Sequence, residues 1–246
     1  MNEDFLIEYL EDKTHNKFER LKDKKDKIRA LMNVALPIDF SNEFYVKQDE
    51  YLQDLMKKKS IISASKILGE NQIALFLGDI TTVKADAIVN AGNSELLGCF
   101  SPLHCCIDNA IHSFGGLQIR RDLLPVMQKQ NYFEENGKCK VTKGYNLPSK
   151  YVFHTVGPIY SGNITPKTQR DLKSCYLSCL TQADKMALKT IVFCSISTGV
   201  FGFPIEKASD IAIKTVKDYL RSTKSNLKVV FNLFSEKDFK VYEGKL

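Results

Sequence analysis

From about residue 71 onward, short apolar runs alternate with stretches of helical periodicity, and this alternation restricts the fold more than any other feature. The apolar runs, rich in β-branched and aromatic side chains, are residues 73–77, 85–89, 151–156, 190–196 and 227–234. Apolar residues recur at helical spacing over residues 107–117, 172–180 and 208–219. Near-continuous apolar strands separated by amphipathic helices predict an α/β fold, with a mainly parallel sheet covered on both faces.

The first 66 residues have a different character, and they predict a helical extension. They contain no glycine, a single proline, and 13 basic and 13 acidic side chains. Apolar spacing predicts one helix around residues 5–10 and a second over residues 18–34, which Pro37 would end. Ser41 is placed to cap a third helix that runs to about Lys58. We therefore divide the chain into an extension, residues 1–66, and an α/β domain, residues 67–246.

Composition and charge exclude several classes of protein. A hydrophobic content of 43% excludes a disordered chain, and no apolar run approaches the length of a bilayer span. The acidic N-terminus lacks the basic flank of a secretory signal, and seven cysteines, an odd number, indicate reduced thiols. Residues 67–246 carry 22 basic and 16 acidic side chains, which suits an anionic ligand and also ordinary solubility. We expect a cytoplasmic monomer that binds neither nucleic acid nor membrane.

A polar loop follows the second apolar run, where sheets of this kind bind ligands. It opens with Asn90, Gly92 and Asn93, whose amides suit hydroxyl groups and whose glycine allows close approach of a ligand. An ordinary Asn/Gly turn accounts for the same residues equally well. The usual P-loop, dinucleotide-binding and nucleophile-elbow motifs are absent from the sequence.

Three cysteines and one histidine lie within the eight residues that precede the next helix. Thiolate and imidazole are good ligands for Zn²⁺, so Cys99, His104 and Cys106 are candidate metal ligands. Cys105 is adjacent to Cys106 and cannot easily point in the same direction. Three protein ligands with one open position are typical of a catalytic zinc. Buried cysteines beside an unrelated histidine are the alternative.

Two residues at the start of that helix have a possible role beside the metal. Asp108 lies in the first turn, where it can cap the helix, or orient or deprotonate a water molecule. His112 follows one turn later, and we interpret it as a packing or supporting residue rather than a ligand.

A second loop, after the run at 190–196, leads directly into a helix. Backbone N–H groups in such a loop form a ready site for phosphate. The residues concerned are Ser197, Thr198, Gly199, Val200 and Phe201.

Taken together, these motifs resemble the macrodomain family, and specifically its zinc-dependent bacterial branch. The motifs that carry the resemblance are residues 78–81, 88–94, 97–109, 146–151, 154–158 and 197–204. The resemblance covers about residues 71–246, and the first 66 residues look like the helical extension of that branch. It implies a three-layer α/β/α fold with a mixed, mainly parallel sheet that binds ADP-ribose.

The resemblance also implies roles for individual residues. Asp79 would accept a hydrogen bond from the adenine amino group, with the Ile80 backbone beside it, and Phe234 is a further candidate for packing on adenine. Asn90 and Asn93 would surround the distal ribose, with Asn93 as the direct contact. The residues that would cradle the diphosphate are Ser197, Thr198, Gly199, Val200 and Phe201. The implied ligands of one Zn²⁺ per chain are Cys99, His104 and Cys106, and the implied catalytic residues are Asp108 and Asn93.

The activity implied by the resemblance is zinc-dependent hydrolysis of mono-ADP-ribose from protein side chains, notably aspartate and glutamate esters. The implied partner is a lipoyl-carrier protein modified by a class M sirtuin. A non-catalytic reader of ADP-ribose is the alternative, but a reader needs no Cys/His/Cys cluster. A structural zinc protein that binds nucleic acid would need a fourth ligand and a basic stripe, and the sequence has neither.

Overall fold

Three helices open the chain in the computed structural model, which describes residues 2–246. They are α1 (Asn2–Thr14), α2 (Lys24–Val34) and α3 (Asn42–Lys57). Ser41 caps α3 as predicted, since its Oγ accepts the N–H of Phe44 at 3.1 Å. Helix α2 begins later than residue 18, because the Asp23 side chain caps it at Lys24 and Phe18 has a φ of 44°.

These helices have a core of their own. Its fully buried side chains include Leu6, Leu10, Ile28, Leu31 and Phe44. Leu117 also belongs to this core, although it follows in the chain much later. The extension is therefore docked on the rest of the molecule through apolar contact, whereas its boundary at residue 66 remains a prediction.

The remaining chain alternates between strands and helices. In order, the elements are β1 (Ile62–Ser63), α4 (Ala64–Leu68), β2 (Ile73–Leu77), a 3-10 helix (Ile80–Thr82), β3 (Val83–Lys84), β4 (Ala87–Gly92), α5 (Ile107–Gly115), α6 (Leu117–Lys129), β5 (Cys139–Lys143), β6 (Tyr151–Val156), α7 (Pro166–Lys185), β7 (Thr190–Cys194), α8 (Ile205–Thr223), β8 (Lys228–Leu233) and α9 (Glu236–Glu243). Six strands form one sheet in the order β2-β8-β7-β4-β6-β5, and β1 pairs with β3 separately. All neighbours in the sheet are parallel except β5, which runs antiparallel to β6.

Both faces of the sheet are covered, as the apolar runs predict. Four consecutive residues of β7, from position 191 to 194, are buried, and successive side chains of a strand point to opposite faces. Helix α4 packs against β2, β8 and β7, and α5 packs against β4. Helices α7, α8 and α9 pack side by side. The predicted α/β fold with a mixed, mainly parallel sheet is confirmed.

Strand β4 differs from the prediction at both of its ends. The second strand covers residues 87–92 instead of 85–89, because Asn90, Ala91 and Gly92 continue the pairing of β4 with β6. Asp86 lies before the strand, where its carboxylate accepts the N–H groups of Lys189 and Thr190. None of the helices within residues 2–246 is both long and apolar enough to cross a bilayer.

Candidate active site

The parallel topology places the predicted site residues at one edge of the sheet. The segments that follow β2, β4 and β7 leave from the same side, because these strands run in the same direction. The segment after β4 carries the cysteines and the histidine, and the segment after β7 leads into α8. Residues far apart in the sequence therefore come together at the carboxyl ends of the strands.

The loop of residues 97–106, here called the metal loop, brings the three candidate ligands together. The donor atoms of Cys99, His104 and Cys106 all lie within 4.8 Å of one another, and the three residues are half-buried. The Cys99 Sγ is 3.7 Å from the His104 Nδ1. Cys105 is exposed and lies outside this group, as expected. Within residues 2–246, no fourth cysteine, histidine or carboxylate joins the three.

The donor set fits Zn²⁺. Burial, together with the neighbouring Cys99 and Asp108, raises the pKa of Cys106 to about 12, so this thiol stays protonated at neutral pH without a cation. Cys106 also caps α5, because its Sγ accepts the N–H of Asn109 at 3.4 Å, and a helix N-terminus favours the thiolate. Two sulfurs and one imidazole nitrogen are ligands that suit zinc, and binding it would release the thiol protons.

Asp108 lies in the first turn of α5, directly after the metal loop. Its side chain is buried, with 4% of the residue exposed. Burial raises the pKa of Asp108 to about 6, although the hydrogen bond from Asn90 and the charge of Arg120 oppose this shift. The Asn90 Nδ2 donates to the Asp108 Oδ1 at 2.7 Å. No residue within 2–246 makes a hydrogen bond to the second oxygen, Oδ2.

We predicted that Asn90 lies in the loop after β4. It lies instead within the strand, where it is fully buried. Its Nδ2 also lies 3.2 Å from the His154 Nδ1, and the His154 Nε2 lies 2.9 Å from the Thr142 Oγ1. Because an amide nitrogen only donates, Nδ1 of His154 accepts and Nε2 carries the proton. A chain of hydrogen bonds therefore runs from β5 through β6 and β4 to the Asp108 carboxylate.

Asn93 holds the shape of the loop that follows β4. Its Oδ1 accepts the N–H groups of Glu95 at 3.0 Å and Leu96 at 3.1 Å. Its Nδ2 donates to the Gly98 carbonyl at 3.2 Å. The oxygen and the nitrogen of this amide therefore both stabilise the turn that leads into the metal loop.

His112 packs against the metal loop and is not part of the ligand group. Its Nε2 lies 3.5 Å from the Asp108 Oδ1, and burial holds its pKa well below the usual range. Gly98 packs on its ring with a φ of +89°, and a Cβ there would lie 2.9 Å from the imidazole. The close approach of the metal loop to α5 therefore requires glycine at this position.

The loop after β7 offers unpaired backbone donors. The carbonyls of Ser197 and Gly199 accept the N–H groups of Phe203 and Gly202, both at 2.9 Å, and this folds the loop into tight turns. Within the described chain, the N–H groups of positions 198–201 donate to no other residue. Val200 is 74% exposed at the tip. An anion is the natural partner of such a set of N–H groups.

Asp79 follows β2 and caps the 3-10 helix. Its Oδ1 accepts the N–H of Thr81 at 2.9 Å, and its Oδ2 accepts from the Lys59 Nζ at 2.8 Å. Burial acts to raise the pKa of Asp79, but the hydrogen bonds from Lys59 and Thr81 bring it below the usual value. Ile80 is buried beside it, whereas Phe234 is 84% exposed after the last strand.

Sequence reasoning missed three residues of this region. They are Lys59, Arg120 and His154. Lys59 belongs to a lysine run that predicts only a helix C-terminus, yet its Nζ lies 3.5 Å from the centroid of the Phe114 ring and also bonds Asp79. Arg120 is buried among backbone carbonyls, and no local pattern distinguishes it from an exposed helical arginine. The apolar run around His154 gave a signal for the strand but not for its polar role.

Comparisons with known proteins agree with this architecture. A family model described as Macro domain matches residues 89–212. A protein from Treponema medium named protein-ADP-ribose hydrolase is 45% identical over 248 aligned residues, which cover 97% of this chain and 95% of that protein.

Two solved structures extend the comparison to the fold. A macrodomain of Oceanobacillus iheyensis, solved with ADP, is 36% identical with a TM-score of 0.64, over 70% of this chain and 88% of that one. A macrodomain of Trypanosoma brucei, in complex with ADP-ribose, is 28% identical with a TM-score of 0.67, over 88% of this chain and 94% of that one. The residues matched by the family model include the metal loop and the loop after β7, and the chain belongs to the Macro domain family.

Proposed function

We propose that this chain is a zinc-dependent hydrolase that releases mono-ADP-ribose from modified protein side chains. The observation that carries the proposal is the position of the donor cluster in the metal loop, whose last member, Cys106, comes two residues before a buried carboxylate, Asp108. The hydrolase name of the Treponema medium relative, which spans nearly the whole chain, supports the same reaction.

ADP-ribose is the proposed ligand of the strand ends. The ADP and ADP-ribose of the two solved relatives support this assignment. Asp79 is ionised, and its Oδ2, which accepts a hydrogen bond from Lys59, is available to the adenine amino group. Ser197, Thr198, Gly199, Val200 and Phe201 would hold the diphosphate through backbone N–H groups.

Zinc is the proposed cofactor, held by Cys99, His104 and Cys106. When bound there, Zn²⁺ supplies Lewis acidity, which polarises an oxygen atom at the reacting centre. The two cysteines would bind it as thiolates and supply negative charge. The support for zinc over other divalent ions is the sulfur-rich donor set.

Asp108 is the proposed proton acceptor of the reaction. Its Oδ1 is fixed by the Asn90 amide, and its Oδ2 is free to accept a hydrogen bond from a water molecule. A raised pKa brings this carboxylate closer to the range in which it exchanges a proton with water at neutral pH. Asn93 would contact the distal ribose directly, from the turn that its amide shapes.

Esters of aspartate and glutamate are the proposed substrate bonds. An ester carbonyl accepts attack by water more readily than an amide does, and its hydrolysis consumes one water molecule. The product is free ADP-ribose, and the protein side chain returns to its carboxylic acid.

The test measures free ADP-ribose by mass spectrometry, using a protein that is mono-ADP-ribosylated on acidic side chains. We expect release by the wild-type chain and a loss of about 100-fold or more in Asp108→Ala, because general acid–base groups contribute rates of that order. The affinity for ADP-ribose, measured by calorimetry, should change little. Asp218→Ala, an exposed aspartate on α8, is the control. Unchanged release by Asp108→Ala contradicts the proposed role.

Two cysteine variants test the metal separately. Cys106→Ala should lose bound zinc and turnover, whereas Cys105→Ala should keep both, since its sulfur lies outside the donor group. Metal analysis of the purified proteins gives the stoichiometry, and we expect one Zn²⁺ per wild-type chain. Binding of ADP-ribose without any release by the wild-type chain would instead indicate a reader.

A further inference from the structure

The end of helix α2, in the N-terminal extension, lies directly against the metal loop. Three side chains make hydrogen bonds to backbone atoms of the metal loop. Arg29 and Asn33 belong to α2, and Arg120 belongs to α6. Their partners are 23 to 88 positions away in the chain. The contact is thus a property of how the extension docks.

Asn33 fixes the loop one residue before a candidate ligand. Its Oδ1 accepts the N–H of Leu103 at 2.9 Å, and its Nδ2 donates to the Ser113 Oγ at 2.9 Å. Leu103 has a φ of 57°, in the left-handed region that a bulky residue rarely adopts. The buried amide of Asn33 therefore holds a strained backbone next to His104.

Arg29 reaches the ligand residues themselves. Its Nη2 donates to the His104 carbonyl at 3.3 Å and to the Asn109 Oδ1 at 2.8 Å. Asn109 in turn donates its N–H to the Cys106 Sγ at 3.4 Å and its Nδ2 to the Ser101 carbonyl at 3.0 Å. One guanidinium is therefore bonded to the backbone of one ligand and to the residue that contacts the sulfur of another.

Arg120 ties the start of the metal loop to the end of α2. Its Nε donates to the Leu97 carbonyl at 2.6 Å. Its Nη1 donates to the carbonyls of Met32 and Asn33 at 3.2 and 3.3 Å. These carbonyls belong to the last turn of α2, where backbone carbonyls have no N–H partner within the helix. The guanidinium also lies 4.2 Å from the centroid of the Phe100 ring, next to Cys99.

We infer that α2 is a positioning element for the metal loop, so that the affinity of the chain for Zn²⁺ depends on the docked N-terminal extension. The inference rests on the proposed zinc site and goes beyond it by assigning Arg29 and Asn33 to metal binding. Neither side chain supplies a donor atom to the metal. They fix the backbone of the residues that do, which reduces the ordering that metal binding would otherwise require.

The test measures zinc affinity by competition with a chromogenic chelator, in the full-length chain. Arg29→Met keeps the aliphatic stem and removes the guanidinium, and Asn33→Ala removes the buried amide. We expect each to weaken zinc binding by about 10-fold or more, because residues that orient metal ligands have effects of that size. The affinity for ADP-ribose in calorimetry should stay close to the wild-type value.

Gln48→Ala is the matched control. Gln48 is a buried amide of the extension, which accepts the N–H of Leu117 at 2.9 Å and donates to the Gln118 Oε1 at 2.7 Å. It joins α3 to α6 without touching the metal loop. The control should lower the melting temperature and leave zinc affinity nearly unchanged.

The possible results separate the two proposals. Wild-type zinc affinity in both Arg29→Met and Asn33→Ala overturns the positioning role alone. An equal loss in Gln48→Ala also overturns it, because the effect is then one of general stability. A wild-type chain that binds no zinc overturns the proposed metal site, and the positioning role with it. Arg29→Met decides the matter if Asn33→Ala does not fold, since Arg29 is only half-buried.

Discussion

His154 shows how a single buried side chain determines the direction of the hydrogen bonds around it. The ring is fully buried in β6, and burial lowers its pKa to about 3. A neutral ring accepts at Nδ1 from Asn90 and donates from Nε2 to Thr142. Asn90 is thereby oriented to donate to Asp108, so His154 positions the carboxylate without touching it.

Neutral burial of His154 predicts a specific dependence of stability on pH. The unfolded chain binds a proton near pH 6.5 and the folded chain only near pH 3, so stability is full above pH 6.5 and falls as the pH drops towards 3. His154→Gln keeps an acceptor and a donor but does not titrate. We expect the free energy of unfolding of this variant, measured in urea, to fall less steeply below pH 6.5 than that of the wild type. The two slopes should differ by up to about 1.4 kcal/mol per pH unit. Parallel curves for the two proteins would contradict this account of the ring.

Single residues differ in how far the sequence reveals them. Cys99, His104 and Cys106 are clustered along the chain, so local spacing predicts the group that the fold assembles. Asn90 is different, because the loop that we predicted around it is partly strand, and its partners come from β6 and α5. Lys59 has no local signal at all, since its partner Asp79 lies 20 positions away.

At the scale of elements, the buried strands are the most predictable part of the molecule. The run at 151–156 coincides with β6, because a strand covered on both faces has a nearly continuous apolar sequence. The run at 73–77 coincides with β2, although β2 is an edge strand and only half-buried. The edge strand β5 was missed, since its alternation of lysines with less polar residues gives only a weak pattern. Its pairing with β6 depends on the fold around it rather than on its own sequence.

The turn after β6 and the loop after β7 are in close contact, which predicts unequal effects for two glycines. A Cβ at Gly157 would lie 2.1 Å from the Ser197 Oγ, whereas a Cβ at Gly199 would meet nothing within 4 Å. We expect Gly157→Ala to lower the free energy of unfolding by about 1–3 kcal/mol, the usual effect of overpacking. Gly199→Ala should stay close to wild type. Equal stability of the two variants, in thermal or urea unfolding, would show that the contact is loose.

At the scale of the whole molecule, the N-terminal extension packs against the metal loop and the rest of the chain. Helices α1, α2 and α3 share a core with Leu117, and α2 contacts the metal loop through Arg29 and Asn33. The sequence predicts the helices from their spacing, but not this docking. Arg29 and Asn109 are 80 positions apart, and only the folded chain brings them together.

The most direct test of the central claim is the release of ADP-ribose from a protein modified on acidic side chains, before and after removal of metal by a chelator. We predict that chelation lowers release by about 100-fold or more, and that added Zn²⁺ restores it, because a metal at such a site lowers the reaction barrier by several kcal/mol. ADP-ribose binding should survive chelation. Release that continues at the wild-type rate in metal-free protein would contradict the account.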